Sequence, residues 1–379
     1  MLKVCIESSY PYIQRYVNYG SLLQYYALQT WFAGHGCKAY WLRFNWVRLA
    51  RAQKRERRRQ AVQRPHEVAA LMRVRGAFRR FIRQRLNTTR YYSHTCILKA
   101  LPPQADIYIT GSDQVWGSYS DVNYLLFAPD GRVKASYAAS FGRTQIDDAY
   151  AKKARKALRR FDGISVREDS GVVICERLGF KAEHVLDPTL LLNGDDYPSK
   201  SKGRHKDPYV LCYFLNDTRK EQIHWDAVTA YAEETGCNPK LVAVENTYLV
   251  FEQDCLWYLS PEEWLDAYRN AKAIITNSFH GTAFSVICKK PFLVVLQQDD
   301  YARQNTRMDS LLKTLGLRER VYDPQRPLKQ QMEEDINWDT VYALLEAERN
   351  RSNEFLQHLI DMAKRGSAST MWRRKERGL

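Results

Sequence analysis

The sequence predicts an α/β protein of two doubly wound units, each a parallel sheet flanked by helices. Three observations predict it. Strand-like and helix-like segments alternate through the first 192 residues, the alternation restarts at residue 208, and the stretch between has the composition of a linker. With 379 residues and 45% hydrophobic content, each unit has enough chain for a core of its own.

The elements follow in order. "KVCIES" from Lys3 reads as a strand, "SLLQYYALQTWFAGHG" as a helix closed by Gly36, and "CKAYWLR" as the next strand. After a basic insert at about 43–99 come the short β-runs "DIYIT", "VKASYAAS" and "GISVRE", with "DAYAKKARKALRRF" and "EDSGVVICERLG" as intervening helices. Residues 1–192 form the first unit. The linker, 193–207, lies in "NGDDYPSKSKGRHKDP", where Gly, Pro, Ser and charge accumulate. The second unit, 208–330, reads as strand "YVLCYFL", a helix from Thr218 to Thr235, strand "KLVAVE", helix "SPEEWLDAYRNA", strand "AIITNS", helix "GTAFSVICKK" and strand "FLVVL". Within 331–379 a final helix places Val341, Leu344, Leu345, Phe355, Leu359 and Ile360 on an apolar face expected to pack back across the first unit, before a frayed basic tail, "WRRKERGL".

Composition excludes several classes. The N-terminus lacks the basic start, apolar centre and small-residue cleavage site of a secretory signal, and no segment approaches the roughly 18 apolar residues of a spanning helix, so a soluble cytoplasmic chain is expected. The eight cysteines are scattered without a C-x-x-C pair and read as buried free thiols. The eight histidines show no ligand spacing, so no structural zinc is expected and no residue is assigned to a metal. There is no G-x-G-x-x-G after the first strand, no P-loop and no G-x-S-x-G.

The net charge of +15 resides in one segment. Between Arg43 and Lys99 stand 17 Lys and Arg against two acids, a surplus equal to that of the whole chain. Within it "LMRVRGAFRRFIRQRL" sets Leu71, Val74, Phe78, Phe81, Ile82 and Leu86 at helical spacing with arginines between them. Such a helix is either an ordinary surface helix with solvated arginines or an element drawn to an anionic membrane or lipid-linked substrate; no DNA- or RNA-binding motif supports a nucleic-acid partner.

Two α/β units joined by a linker leave a cleft between strand ends, where such sheets bind ligands. Four places at those ends stand out. Asn18, Tyr19 and Gly20 form the turn into the first helix, Gly20 permitting close backbone approach or Ser21 capping the helix. Gly111, Ser112 and Asp113 end a strand in "ITGSDQVW", Asp113 being a base, a hydroxyl ligand or a helix cap. Arg167 and Glu168 follow the run "ISV"; the arginine offers a fork of donors to a carboxylate or phosphate, or pairs with the glutamate. His280, in "ITNSFHGTAFSV", stands at the corner between a buried strand and a helix N-terminus, a natural anion site, or is a core histidine satisfied by backbone.

Taken in order, "NYGSLLQYYALQ", "GSDQVW", "YAASFG", "ISVREDSG", "LDPTLLL", "ITNSFHGTAFSV", "KKPF" and "NTRMDSLLKTLGL" resemble the polysaccharide pyruvyl transferases, and the resemblance covers nearly the whole chain outside the basic insert and the linker. It implies two Rossmann-like domains in a GT-B-like arrangement with a cleft between them. It also implies transfer of pyruvate from phosphoenolpyruvate onto two sugar hydroxyls as a cyclic ketal, in the making of a surface polysaccharide or its lipid-linked precursor. Phosphoenolpyruvate is then a co-substrate, no cofactor is needed, and the acceptor is a glycan or a lipid-pyrophosphate-linked sugar. By resemblance Arg167 and His280 contact the donor; Ser278, Gly281 and Thr282 are taken to bind it with them, and Arg307 is either a second phosphate contact or an exposed arginine at a helix start. His280 delivers a proton to the methylene carbon or holds the departing phosphate. Asp113, with Glu168 as second choice, is the base for the hydroxyls, and Asn18, Tyr19, Gln114, Trp116 and Glu168 face the acceptor.

Two departures stand out. Asn277 occupies a position where family members often have Asp, and Gly117 one where they often have Asn. The nearest rival readings are a GT-B glycosyltransferase using a nucleotide sugar and an inactive glycan-binding scaffold.

Overall fold

The computed structural model describes residues 1–8, 17–45, 64–93, 97, 102–199, 207–216, 219–244, 251 and 253–376. Cys96, much of the basic insert and most of the linker lie outside them.

The first sheet joins β1 (Lys3–Glu7), β2 (Lys38–Trp41), β5 (Ile107–Thr110) and β6 (Val133–Ser136) in the order β2-β1-β5-β6. All its pairings are parallel, with Val4 opposite Ile107 and Ile107 opposite Val133. Two small pairs accompany it: β3 (Phe44–Asn45) with β4 (Tyr92–Ser93), and β7 (Ser165–Val166) with β8 (Glu183–His184). Single bridges, Ala135 to Gly163 and Ala139 to Val166, tie the second pair to the edge of the sheet. The second sheet, also parallel throughout, joins β9 (Tyr209–Tyr213), β10 (Asn238–Val242), β11 (Leu256–Trp257), β12 (Ala273–Thr276) and β13 (Phe292–Val294) in the order β11-β10-β9-β12-β13. β5, β9 and β12 are buried at every residue, which explains why their sequences run apolar rather than alternating.

The strand order reverses between β1 and β5 in one sheet and between β9 and β12 in the other, so each sheet has a switch point where a crevice opens at the strand ends. Helix α1 (Tyr19–Gly34) and a later helix, Phe279–Ile287, bring the two crevices together. Asn18 caps α1 by accepting from the Ser21 N–H at 3.0 Å, and Ser278 caps the later helix through Gly281 N–H at 3.4 Å. Their first turns touch: a Cβ on Gly20 would lie 2.0 Å from His280 Cγ. The helix Phe279–Ile287 is buried along its whole length.

The remaining helices are α2 (Pro65–Arg85), α3 (Asp148–Leu158), α4 (Asp169–Arg177), α5 (Trp225–Glu234), α6 (Pro261–Asn270), then α7, the helix Phe279–Ile287 just described, α8 (Asn305–Thr314), α9 (Leu328–Glu333) and α10 (Trp338–Glu376). α2 inserts Val74, Phe78, Phe81 and Ile82 into a core that also holds Ile6 of the first sheet and Ile274 of the second. α10 lies against the first sheet, where Leu359 and Phe355 cover Gly163, and it continues through Glu376 into the stretch expected to be a frayed tail. Two other expectations are corrected. The helix expected from Thr218 begins at Trp225, because residues 220–224 form turns and His224 adopts a left-handed φ of 52°. The strand "VKASYAAS" ends at Ser136, because Ala138 turns the chain with φ 52°. Among the described residues no helix is long and apolar enough to cross a membrane.

Candidate active site

Five side chains converge where the switch points face one another. Asp113 follows β5, Arg167 follows β7 and Asp187 follows β8, while His280 comes from the first turn of α7 and Arg307 from α8. Asp187 is the hub. Its Oδ1 accepts the Thr189 N–H at 3.0 Å and the Thr189 hydroxyl at 2.7 Å, capping the 3₁₀ turn Pro188–Leu191. Its Oδ2 accepts Arg167 Nη1 at 2.8 Å and the Ser112 hydroxyl at 2.7 Å, and lies 3.5 Å from His280 Nε2. Asp113 carries the second carboxylate. Its Oδ1 accepts the Gln114 N–H at 2.9 Å and lies 3.5 Å from Arg167 Nη2 and 3.8 Å from Arg307 Nη1, while Oδ2 accepts the Ser21 hydroxyl of α1. The Arg167 guanidinium also sits 4.2 Å over the Phe279 ring.

The cluster is buried, and its charged groups act on one another. Burial alone would raise the pKa of Asp187, but His280, Arg167 and the Ser112 hydroxyl together hold its carboxyl well below the usual carboxylate range. Asp113 follows the same logic: burial raises it, and Arg167, His280 and Arg307 more than reverse the effect. Both acids therefore stay ionised at neutral pH. Burial and the neighbouring Arg167 push Arg307 down to about 10, so it too keeps its charge. Among the described residues Arg167 Nε has no hydrogen-bond acceptor, and the buried Arg167 Nη2 and His280 Nε2 meet Asp113 and Asp187 only at 3.5 Å. Arg167, Asp187 and Phe279 help line a cavity of about 10 Å³, on the scale of one water. Asp113 and Arg307 are 9% and 8% exposed, against 1% for Asp187, so the cluster faces solvent on the Asp113–Arg307 side.

The other residues singled out in the sequence take different places. Glu168 is fully buried, and its Oε1 accepts the N–H groups of Phe141 and Gly142 at 2.8 and 3.1 Å, fixing the loop after β6. Trp116 is not a cleft residue: it is fully buried, stacked on Tyr124 with ring centroids 5.3 Å apart. Tyr19 is likewise corrected. It is fully buried, stacks on Trp264 at 5.1 Å and donates its hydroxyl to Leu259 O at 2.8 Å, stapling α1 to the second unit. Gln114 is half-buried beside Gly142, where an added Cβ would meet its Nε2 at 2.7 Å. Gly20 makes room for the His280 ring, and Gly281 for Thr276, whose Oγ1 would lie 2.2 Å from an added Cβ. The Thr282 hydroxyl donates to Ser278 O at 3.2 Å and reinforces the α7 cap.

Asp187, Ser112 and Phe279 complete the arrangement, and Asp187 was not singled out by sequence reasoning. Its only local signal is an acid before Pro in "VLDPTLLL", the pattern of a helix cap. Asn277 accepts the Leu215 N–H at 2.7 Å and donates to Leu215 O at 3.0 Å, so this amide clamps β12 to the end of β9.

A buried cluster of cationic donors backed by ionised carboxylates is suited to an anion whose charge changes during reaction. The sequence profile of the family described as polysaccharide pyruvyl transferase matches residues 18–299, from the Asn18 cap to beyond α7. No curated protein matches the chain. Among solved structures, a Listeria monocytogenes protein assigned as a UDP-N-acetylglucosamine 2-epimerase aligns with a TM-score of 0.51 and 10% identity over 93% of this chain and 90% of its own. The UDP-GlcNAc 2-epimerase of Methanocaldococcus jannaschii, in complex with UDP-GlcNAc and UDP, aligns with a TM-score of 0.51 and 11% identity over 96% of this chain and all of its own. At such identities the likeness is one of fold, the GT-B arrangement of two facing Rossmann-like units. The family match spans most of the chain and contains Asp113, Arg167, Asp187 and His280: the chain belongs to the polysaccharide pyruvyl transferase family.

Proposed function

We propose that the protein transfers pyruvate from phosphoenolpyruvate to two hydroxyls of a sugar, forming a cyclic ketal and releasing phosphate, in surface-polysaccharide biosynthesis at the cytoplasmic side of the membrane. The observation that carries the reading is the convergence of the buried Arg167, His280 and Arg307 on one cluster, each within 4 Å of a carboxylate, Asp113 or Asp187. The donor brings a carboxylate and a phosphate, about three negative charges, and such charge enters a buried site only where cations already wait.

In this reading Arg167, Arg307 and the N-terminal turn of α7, with Ser278, Gly281 and Thr282, hold the donor's anionic groups. Proton transfer from His280 to the methylene carbon makes C2 oxocarbenium-like. One sugar hydroxyl adds there as it loses its proton, the C2–O bond to phosphate breaks, and the second hydroxyl closes the ketal. Of the two hydroxyl protons, one replaces the proton taken by the methylene and the other leaves with phosphate. Asp113, ionised and at the exposed edge of the cluster, receives a hydroxyl proton as the C–O bond forms. Asn18 and Gln114 flank the approach of the acceptor, a glycan or its lipid-pyrophosphate-linked precursor. No further cofactor enters this balance.

The test is phosphate release from phosphoenolpyruvate with a panel of lipid-linked and arylated hexosides. Arg167→Ala and His280→Ala should each lower acceptor-dependent release by about 10²- to 10⁴-fold while the proteins stay folded. A folded His280→Ala protein with near-normal turnover removes His280 from the chemistry. Silence of the wild type across the panel, with thermal stabilisation by UDP-sugars and none by phosphoenolpyruvate, replaces this reading with nucleotide-sugar transfer.

A further inference from the structure

Helix α2 carries its charge on one side. At 3.6 residues per turn, the buried residues Ala70, Leu71, Val74, Phe78, Phe81 and Ile82 fall within an arc of about 120°. Arg73, Arg79, Arg80 and Arg83, all exposed, fall within a second arc of about 120° centred opposite the first. None of these four has a hydrogen-bond or ion-pair partner among the described residues. The acid of the helix, Glu67, is buried 3.9 Å from Arg64 and contributes nothing to the outer face. Elsewhere the surface mixes its signs: Arg318 pairs with Asp309 and Lys313 with Asp169 at α8, and Lys364 with Asp361 on α10.

We propose that this arginine face docks the protein on anionic phospholipid headgroups. The apolar side of α2 is already committed to the core shared by both sheets, so docking is electrostatic and does not require the helix to insert. Met72, 50% exposed and within the arginine arc between Arg79 and Arg83, gives an apolar contact at the headgroup boundary. A phosphodiester backbone makes no use of such a residue, and the face presents no aromatic ring on which a base stacks. This inference goes beyond the ketal-forming reading and stands without it, because vesicle binding requires neither donor nor acceptor.

The experiment is co-sedimentation of the full chain with vesicles of phosphatidylglycerol and phosphatidylcholine, or of phosphatidylcholine alone, at about 50 mM salt. The variant is Arg73→Gln, Arg79→Gln, Arg80→Gln, Arg83→Gln, checked for unchanged circular dichroism and Tm. A second variant, Lys152→Gln, Lys156→Gln, removes exposed charge from α3 as a control. The wild type and the α3 variant should bind the anionic vesicles and not the neutral ones, with release near 0.5 M salt. Each arginine is expected to contribute about five-fold, so the α2 variant should bind on the order of several-hundred-fold more weakly. Absence of wild-type binding, or binding that survives the α2 substitutions, overturns the proposal. So does tighter, α2-dependent binding to a duplex oligonucleotide than to anionic vesicles at equal phosphate, which reassigns the face to nucleic acid.

Discussion

Gly20 is set by its neighbour. It lies in a helical first turn that any residue adopts, yet an added Cβ would fall 2.0 to 2.4 Å from three atoms of the His280 side chain, Cγ, Nδ1 and Cβ. Gly20→Ala should therefore gain about 1 kcal/mol of helix propensity and still lower the Tm, because overpacking here costs about 1–3 kcal/mol or more and displaces the imidazole. Turnover should fall with it, and a variant of unchanged Tm and turnover would dissolve the contact between α1 and His280. Glu7, at the end of β1, gives a pH-dependent test. It is buried with both carboxyl oxygens unpartnered among the described residues, and burial pushes it up to about 8. A raised folded-state value means that its contribution is fully favourable below the unfolded value near 4.5 and is lost as pH rises through about 8. Glu7→Gln should accordingly raise the Tm more at pH 8.5 than at pH 5; equal shifts at both would show that Glu7 ionises freely in the fold. At this scale the sequence was informative about types of residue and blind to their partners. Arg167, His280, Asp113 and Arg307 announce themselves as charged groups after apolar runs. Asp187 does not, since what makes it the hub is contact with Ser112, Arg167 and His280, 75, 20 and 93 positions away.

The ends of elements decide where these residues land. β12 runs into α7 through Thr276, Asn277 and Ser278, and all three side chains are consumed in fixing the turn: the Thr276 hydroxyl donates to Tyr213 O, Asn277 clamps Leu215, and Ser278 caps the helix. The Asn277 contact explains a departure from the family's pattern, because one amide matches both the N–H and the C=O of Leu215. An ionised carboxylate only accepts. Asn277→Asp should leave Leu215 O unmatched against a buried charge, lowering stability by about 2–4 kcal/mol and shifting the α7 cap. Calorimetry against the wild type checks this, and a neutral result would mean that the β9 end does not depend on the clamp. Elements of this kind were legible as a rhythm of strands and helices, while their limits were not. Ala138 and His224 turn the chain with left-handed φ values inside segments whose composition suits a strand and a helix. Trp116 and Tyr19 mark the same limit: an aromatic beside a strand end reads as a sugar platform, and here tertiary packing buries both rings.

At the scale of the molecule, the two sheets are not independent bodies that happen to share a cleft. Residues from both belong to one continuous apolar cluster, and α10 runs along it. Near its start Tyr342 donates to the carbonyls of Val286 and Ile287 at the end of α7, at 3.2 and 3.1 Å. Two turns later the buried Arg349 donates to Leu190 O at 2.6 Å and Leu192 O at 2.8 Å, in the segment whose first cap is Asp187. Further on Ser352 Oγ accepts the Leu186 N–H at 3.0 Å. One helix thus supports α7, which carries His280, and the turn that carries Asp187, and it sets their separation. Arg349→Ala would orphan two buried carbonyls and remove packing around the 3₁₀ turn, a loss of about 2–4 kcal/mol. The expected result is one cooperative calorimetric transition in both proteins, shifted down by about 5 °C in the variant, with turnover reduced although Arg349 lies outside the reacting cluster. Two separate transitions in the wild type would mean that each sheet carries its own stability and that α10 is a passenger. A single shifted transition with unchanged turnover would leave the helix its structural role and remove its influence on the spacing of Asp187 and His280.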